Sequence, residues 1–249
     1  SYGDSSIQPN STIITKKLNK ILHLDLKKGI LSAESGITVL KIIEEIVPYG
    51  WFLPVTPGSK FISLGGMIAA DVHGKNHHKK GSFRNYVKEL TIINERKKLI
   101  KCSKKKNSTL FNYTIGGMGL TGIIYSCKFK LIKINSHLIE QKTIKSKNLK
   151  QTIQNIKKNY NCEYNVAWID TSANKKNIGR SILFCGNHLK TKKNEIKKVT
   201  FKYNGLKMFN IFPNWILNSF TVKLLNILFY NLTSESKKQL SINDYFYQL

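Results

Sequence analysis

An α+β chain is expected, and three observations along the sequence agree with that expectation. Tight turns separate short apolar runs that alternate as strands do, capped segments with helical spacing lie between them, and composition shifts near Ile134. Ile21 to Leu26 alternates His23 and Asp25 against apolar neighbours, Lys27-Lys28-Gly29 turns, and Ile30 to Glu34 returns. Thr38 has the character of a helix N-cap, followed by Val39, Ile42, Ile43 and Ile46 at helical spacing, with Pro48-Tyr49-Gly50 as the stop. Trp51 to Pro54 is short and apolar and ends in the turn Thr56-Pro57-Gly58. Ser63 to Asp71 opens on small residues and continues as a short apolar helix into a polar loop rich in His, Lys and Gly. Leu90 to Ile93 and Leu99 to Cys102 form a strand pair about Asn94-Glu95-Arg96, and Ile123 to Ile132 alternates as a strand. Beyond Asn135 a lysine-rich helix, Leu149 to Tyr160, precedes the strand Tyr164 to Ile169, with Ser181 to Cys185 as its partner. The expected division is residues 1–134 and 135–249.

The formal net charge is +27 over 249 residues. A charge of that size suggests nucleic acid or an anionic surface. Yet only Arg84, Arg96 and Arg180 are arginines, and arginine is the residue suited to bidentate phosphate and base recognition. Lys, Asn and Ile share AT-rich codons, so genome bias accounts for the composition more economically than nucleic-acid binding. Cys102, Cys127, Cys162 and Cys185 are widely spaced, with no CxxC pair. They fit neither a zinc ribbon nor a disulfide framework, which leaves a reduced, cytoplasmic compartment as the expectation. No signal-peptide pattern is read at the start. The most apolar stretch, Met208 to Leu232, is interrupted by Pro213, Asn214, Asn218, Lys223 and Asn226. It reads as an amphipathic helix over a core or against a membrane surface rather than as a membrane span.

Four motifs can carry chemistry. Ser63-Leu64-Gly65-Gly66 enters a helix, where backbone N–H groups can meet a pyrophosphate; taken alone it is more often a tight strand-to-helix turn. It is neither G-x-G-x-x-G nor a P-loop. His73-Gly74-Lys75-Asn76-His77-His78 clusters three histidines, but Gly74 disfavours one helical face and no Cys or carboxylate pairs with them except Asp71, so no metal is expected. A solvated loop is the plain alternative to a site loop whose imidazole and ammonium groups orient a hydroxyl or stabilise charge. Gly116-Gly117-Met118-Gly119-Leu120-Thr121-Gly122-Ile123 allows close approach to a flat ligand, or is simply a glycine-rich bulge. Trp168 ends an apolar strand and is ordinarily a core aromatic.

Taken in order, these strings resemble one family. Pro54 to Gly58, Gly65-Gly66, Ala70-Asp71-Val72-His73-Gly74-Lys75-Asn76-His77-His78 and Gly81-Ser82-Phe83 are similar to the FAD-binding oxidoreductases of the vanillyl-alcohol oxidase / p-cresol methylhydroxylase (PCMH) superfamily, and in particular to the decaprenylphosphoryl-ribose 2-oxidases, flavin subunits of an epimerase that makes lipid-linked arabinose. Ser1-Tyr2-Gly3-Asp4, Gly116 to Ile123 and Val166 to Asp170 fit in the same order, so the resemblance covers essentially the whole chain. It implies an α+β fold: a PCMH-type FAD domain of two α+β subdomains, then a partial substrate domain on an antiparallel sheet. It implies FAD contacts at Ser1, Tyr2, Gly3, Asp4, Gly58, Ser63, Leu64, Gly65, Gly66, Ala70, Asp71, Val72, His73, Gly117, Gly122 and Ile123. His73, Lys75, Trp168 and Tyr2 fall on the substrate side: Lys75 toward the hydroxyl or phosphate, His73 packing on the flavin, Trp168 as a wall of the sugar pocket.

The implied reaction is oxidation of a secondary alcohol on a lipid-linked sugar, with hydride passing to the flavin and a short-chain reductase completing the epimerisation. A peripheral contact with the inner membrane suits such a substrate. An oxidase or dehydrogenase of a soluble polyol or aldonolactone is the alternative within the family, and a basic nucleic-acid-binding protein the alternative outside it. Against the family pattern, the chain opens inside the first flavin motif and stops where the substrate domain continues. The expectation is therefore a fragment that is inactive alone.

Overall fold

In the computed structural model the described residues are 13–190 and 218–247. The chain divides into two units, the first of residues 1–137 with 190–201 and the second of residues 138–189 with 202–249.

The first unit opens with the hairpin β1 (Ile21–Asp25) and β2 (Ile30–Glu34), and the Asp25 carboxylate accepts from the backbone of Lys27 and Lys28 in the turn. Thr38 caps α1 (Val39–Ile46) by accepting from Lys41 N, satisfying one of the open donors of the first turn. Val39, Ile42, Ile43 and Ile46, at i, i+3, i+4 and i+7, are fully buried, so the predicted stripe is the core face. A 3₁₀ turn, Val47–Tyr49, stops the helix, and Gly50 takes the left-handed conformation at φ 76°. β3 (Trp51–Phe52), α2 (Leu64–Ala69), the single turn α3 (His77–Lys80) and β4 (Val87–Ile93) follow. β5 (Leu99–Ser103), α4 (Ser108–Thr114), β6 (Ile123–Lys130) and β7 (Ile132–Lys133) complete the unit. Its main sheet is antiparallel throughout, in the order β1-β2-β6-β4-β5, and β3 pairs with β7. Leu31, Met67, Ile68, Phe83, Leu90 and Phe129 fill its core, with the Phe83 and Phe129 ring centroids 5.2 Å apart.

The second unit is also a mix of helices and an antiparallel sheet. β8 (Leu138–Ser146), β9 (Tyr164–Ile169), β10 (Ser181–His188) and β11 (Ser236–Ser241) pair in the order β11-β8-β10-β9. α5 (Leu149–Lys158) is capped by Asn148, and its buried Thr152 hydroxyl reaches Gly179 O and Ser181 Oγ, fastening the helix to β10. The short α7 (Ile242–Phe246) contributes buried Tyr245 and Phe246, which pack with Tyr164. α6 (Ser219–Leu232) carries a capping box at Asn218 and Thr221.

The fold class is α+β, as expected. Four elements differ from the sequence reading. The histidine loop contains the helical turn α3, and Ser108 to Thr114 is helical where no element is expected. β8 and β11 occupy stretches read as composition change or left unread.

At the end of β9, Asp170 is 1% exposed and accepts from Arg180 Nη2 at 2.8 Å and Nε at 2.9 Å, from Ser172 N and Oγ, and from Asn226 Nδ2. Burial pushes this carboxyl up, but the hydrogen bonds from Ser172 and Arg180 together with the guanidinium charge outweigh that and hold it below the ordinary carboxylate range. A depressed carboxyl stabilises the fold above its unfolded pKa and loses that contribution as pH falls through the folded value. Asp170→Ala is expected to lower stability by about 3 kcal/mol, because it strands the Arg180 charge, as measured by urea unfolding at neutral pH. The gap between variant and parent should shrink in acid.

Candidate functional site

The site is built on α2 and the two loops that meet it. Ser63 caps α2 by accepting from Gly66 N at 3.2 Å. The next two donors are also engaged: Leu64 N bonds Ile37 O at 2.8 Å and Gly65 N bonds Ser35 O at 2.7 Å. In this structure the chain's own oxygens take these N–H groups. The glycines serve close packing. A Cβ on Gly65 would lie 3.0 Å from Ser35 Cβ, and one on Gly66 3.3 Å from Ser63 Oγ.

At the other end of α2, Ala70 is the C-cap and Asp71 adopts φ 42°, the left-handed region that Asp tolerates better than most residues. This turn aims the Asp71 carboxylate at Arg84, where Oδ1 accepts from Arg84 N at 2.9 Å and Oδ2 from Nε at 3.2 Å. The rest of the guanidinium reaches the carbonyls of Asn112 and Ile115. Gly116 N and Met118 N then donate to Ile68 O and Ala69 O, each at 2.9 Å, which closes the last turn of α2 with the glycine loop. Asp71 thus spends its side chain on Arg84. Gly116 requires its φ of 81°, and Gly117 and Gly122 sit where a Cβ would strike Tyr113 O at 2.0 Å and Ile93 O at 2.7 Å. Ile123 starts β6, half-buried, in register with Ile93.

The histidine loop is anchored on the Pro54–Thr56 turn. Asn76 Nδ2 donates to Pro54 O at 2.8 Å, and a Cβ at Gly74 would meet Thr56 O at 2.6 Å. Val72 O accepts from Phe83 N, and His73 bridges Ser82 as a single antiparallel pair. His73 is exposed and Lys75 half-buried. The His73 and His77 rings meet edge to face at 5.3 Å. Burial pushes the Lys75 ammonium down to about 8. Among the described residues no group of three or more His, Cys, Asp or Glu is placed to hold a metal ion.

Polar atoms of this region fit a ligand. Ser35 Oγ, Thr56 Oγ1 and Asn76 Oδ1 are buried without a hydrogen-bond partner, each costing about 1–3 kcal/mol unless water or a ligand reaches it. Gly58, in the same turn as Thr56, and Gly119, in the glycine loop, are exposed, with open space where a side chain would stand. Bare backbone next to unsatisfied polar atoms suits a large flat cofactor with polar edges. Sequence reading missed Ser35, Thr56 and Arg84. Asn76 and Thr56 lie inside quoted motifs, while Ser35 and Arg84 carry no local signal, because their roles depend on segments 13 or more residues away. Ser1 to Asp4, Tyr2 included, lie outside the described residues. Trp168 belongs to the second unit, half-buried on β9, with its ring 5.0 Å from Phe229 and edge to face.

Comparison with known proteins agrees with this geometry. Residues 1–103 match the family model described as an FAD binding domain. Residues 1–103 thus resemble an FAD-binding domain, with FAD as the cofactor. Among individual proteins, it is 27% identical to decaprenylphosphoryl-beta-D-ribose oxidase of Mycolicibacterium smegmatis over 99% of this chain and 56% of that protein. It is 30% identical to D-lactate dehydrogenase of Anaerostipes hadrus over 52% of this chain and 28% of that one. It is also 30% identical to L-gulonolactone oxidase 5 of Arabidopsis thaliana over 48% of this chain and 21% of that one. The chain therefore spans little more than half the length of the first relative and under a third of the other two.

Arg84→Ala is expected to release the glycine loop and weaken FAD binding about tenfold, roughly 1.4 kcal/mol, in a flavin-fluorescence titration. Arg96→Ala, at an exposed turn, should leave it unchanged.

Proposed function

We propose that this chain forms the flavin-binding part and some of the substrate-binding part of an FAD-dependent oxidoreductase acting on a secondary alcohol of a sugar, with a polyprenyl-phosphate-linked pentose as the substrate. The observation that carries the reading is Lys75, a half-buried ammonium with a lowered pKa on a loop anchored by Asn76 and Gly74 beside exposed glycine backbone. The similarity to decaprenylphosphoryl-beta-D-ribose oxidase supports the substrate class, because it runs through both units, whereas the lactate and gulonolactone relatives match only about half of the chain.

Oxidation of the alcohol removes a hydride from carbon and a proton from oxygen, leaving a ketone. FAD supplies the two-electron acceptor. The protein's part is to bind, orient and hold charge. A Lys75 ammonium orients the hydroxyl or phosphate oxygen of the substrate through a charge-assisted hydrogen bond, stronger in a partly dry site than in water. His73, exposed at the loop edge, would lie against the cofactor when it is bound. Completion of an epimerisation requires a second enzyme that returns hydride to the ketone from the opposite face.

Two measurements test this. The purified protein, extended to its full reading frame, should show a two-banded flavin absorption that bleaches on adding a polyprenyl-phosphate pentose. Bleaching by a soluble polyol or lactone instead would replace the substrate class, and a colourless protein that takes up no FAD would end the reading. With Lys75 near 8, kcat/KM should fall as pH rises through about 8, since the binding charge is lost there. Lys75→Arg keeps its charge and should move that limb up by two pH units or more, to roughly pH 10 or beyond.

A further inference from the structure

α6 is built with its polarity reversed. Its inward side is anchored mainly by polar groups: Asn226 Nδ2 donates to Asp170 Oδ1 and Ser172 Oγ, each at 3.1 Å, and Tyr230 OH donates to Ser146 O at 3.2 Å, with Phe229 against Trp168 as the apolar contact beside them. The Tyr230 ring lies under two cations, Arg180 at 4.7 Å and Lys145 at 4.4 Å. The outward side is hydrocarbon. Phe220, Leu224, Leu228 and Leu232 recur every four residues as one ridge, exposed by 74%, 47%, 45% and 80%, and Leu225 flanks it at 56%. No residue of the helix is buried. A helix packing on its own domain turns its apolar stripe inward; this one is fastened by its polar stripe and offers the other.

We infer that this ridge seats the protein on the surface of an anionic lipid bilayer. Charge selects that occupant. α6 has no acidic residue. Over residues 138–189 and 218–247 the second unit carries twelve Lys and Arg against five Asp and Glu. Such a field attracts phospholipid headgroups and repels a second copy of the same basic chain. One ridge on a 14-residue helix is also a small patch beside the roughly 800 Å² per partner that a stable protein interface covers. Among the described residues no helix is long and apolar enough to cross a membrane, so α6 lies in the interface with its axis along the surface. The inference is independent of the catalytic reading, although a lipid-linked substrate would make it useful.

The test is flotation of the full-reading-frame protein with vesicles of phosphatidylcholine alone or mixed with phosphatidylglycerol, with flavin absorbance read in every fraction. The parent should float with the mixed vesicles and much less with the neutral ones, and rising salt should weaken binding. The Leu224→Ser/Leu228→Ser double variant should lose flotation by about tenfold or more while keeping its thermal midpoint, because both side chains are exposed. Undiminished flotation of the variant would overturn the inference. So would a lowered midpoint, which would mean the ridge packs against this chain, or a parent dimer that the variant dissolves. Yellow protein that does not float refutes the membrane seat and leaves the flavin reading intact; colourless protein that floats does the reverse.

Discussion

The first unit's site depends on one ion pair, Asp71 with Arg84. Asp71 can make it only from a left-handed backbone, and that turn is also what ends α2. The guanidinium then spends its remaining donors on two carbonyls just ahead of the glycine loop, whose own N–H groups close the open end of α2. One side chain therefore fixes the end of a helix, the entry to the histidine loop and the position of the glycine loop. A lysine cannot replace it, since a single ammonium cannot meet a carboxylate and two carbonyls in one plane. In a chain with only three arginines, two are used in this way, Arg84 on Asp71 and Arg180 on Asp170. The scarcity that weakens the nucleic-acid reading also shows where fork geometry is indispensable.

The helix start that resembles an anion site is already satisfied from within, its first donors bonded to Ile37, Ser35 and Ser63. What remains open around it is bare glycine backbone and three buried oxygens without partners. This separates two jobs that a glycine motif can combine. Here Gly65 brings α2 close to the Ser35 turn, Gly66 leaves room for the Ser63 cap, and Gly58 and Gly119 keep space clear. The lowered ammonium of Lys75 follows from the same crowding, since anchoring the loop on the Pro54–Thr56 turn takes the lysine partly out of water.

Much of this was legible in the sequence where local physics decides. The hairpin around Gly29, the Thr38 cap and the four-residue stripe of α1 are local patterns, and they stand where their spacing placed them. The β9–β10 pair was legible because both strands carry apolar residues in register. β8 was not, because its buried positions are Ile139, Gln141, Thr143 and Ser146, mostly polar, so the alternation is hidden. β11 has no buried residue and two lysines, the marks of an edge strand, which leave no hydrophobic signal. α4 starts at a left-handed Asn107 whose side chain makes no cap, so the usual start signal is missing. In the site, the motif residues were visible as strings. The residues that hold them, Arg84 and Ser35, act across the fold and leave no mark in any short window.

The reversed helix has a consequence for how the second unit holds together. Most helices leave their domain only by exposing hydrocarbon, which raises the heat capacity and gives a cooperative transition. α6 would instead trade the hydrogen bonds of Asn226 and Tyr230 for bonds to water, with the Trp168–Phe229 contact as the main apolar loss. Its detachment thus carries a smaller heat-capacity change than that of a core-packed helix and is governed largely by solvent competition for a few polar groups. The element best placed to meet an outside surface is also the one whose movement the core of the unit resists least.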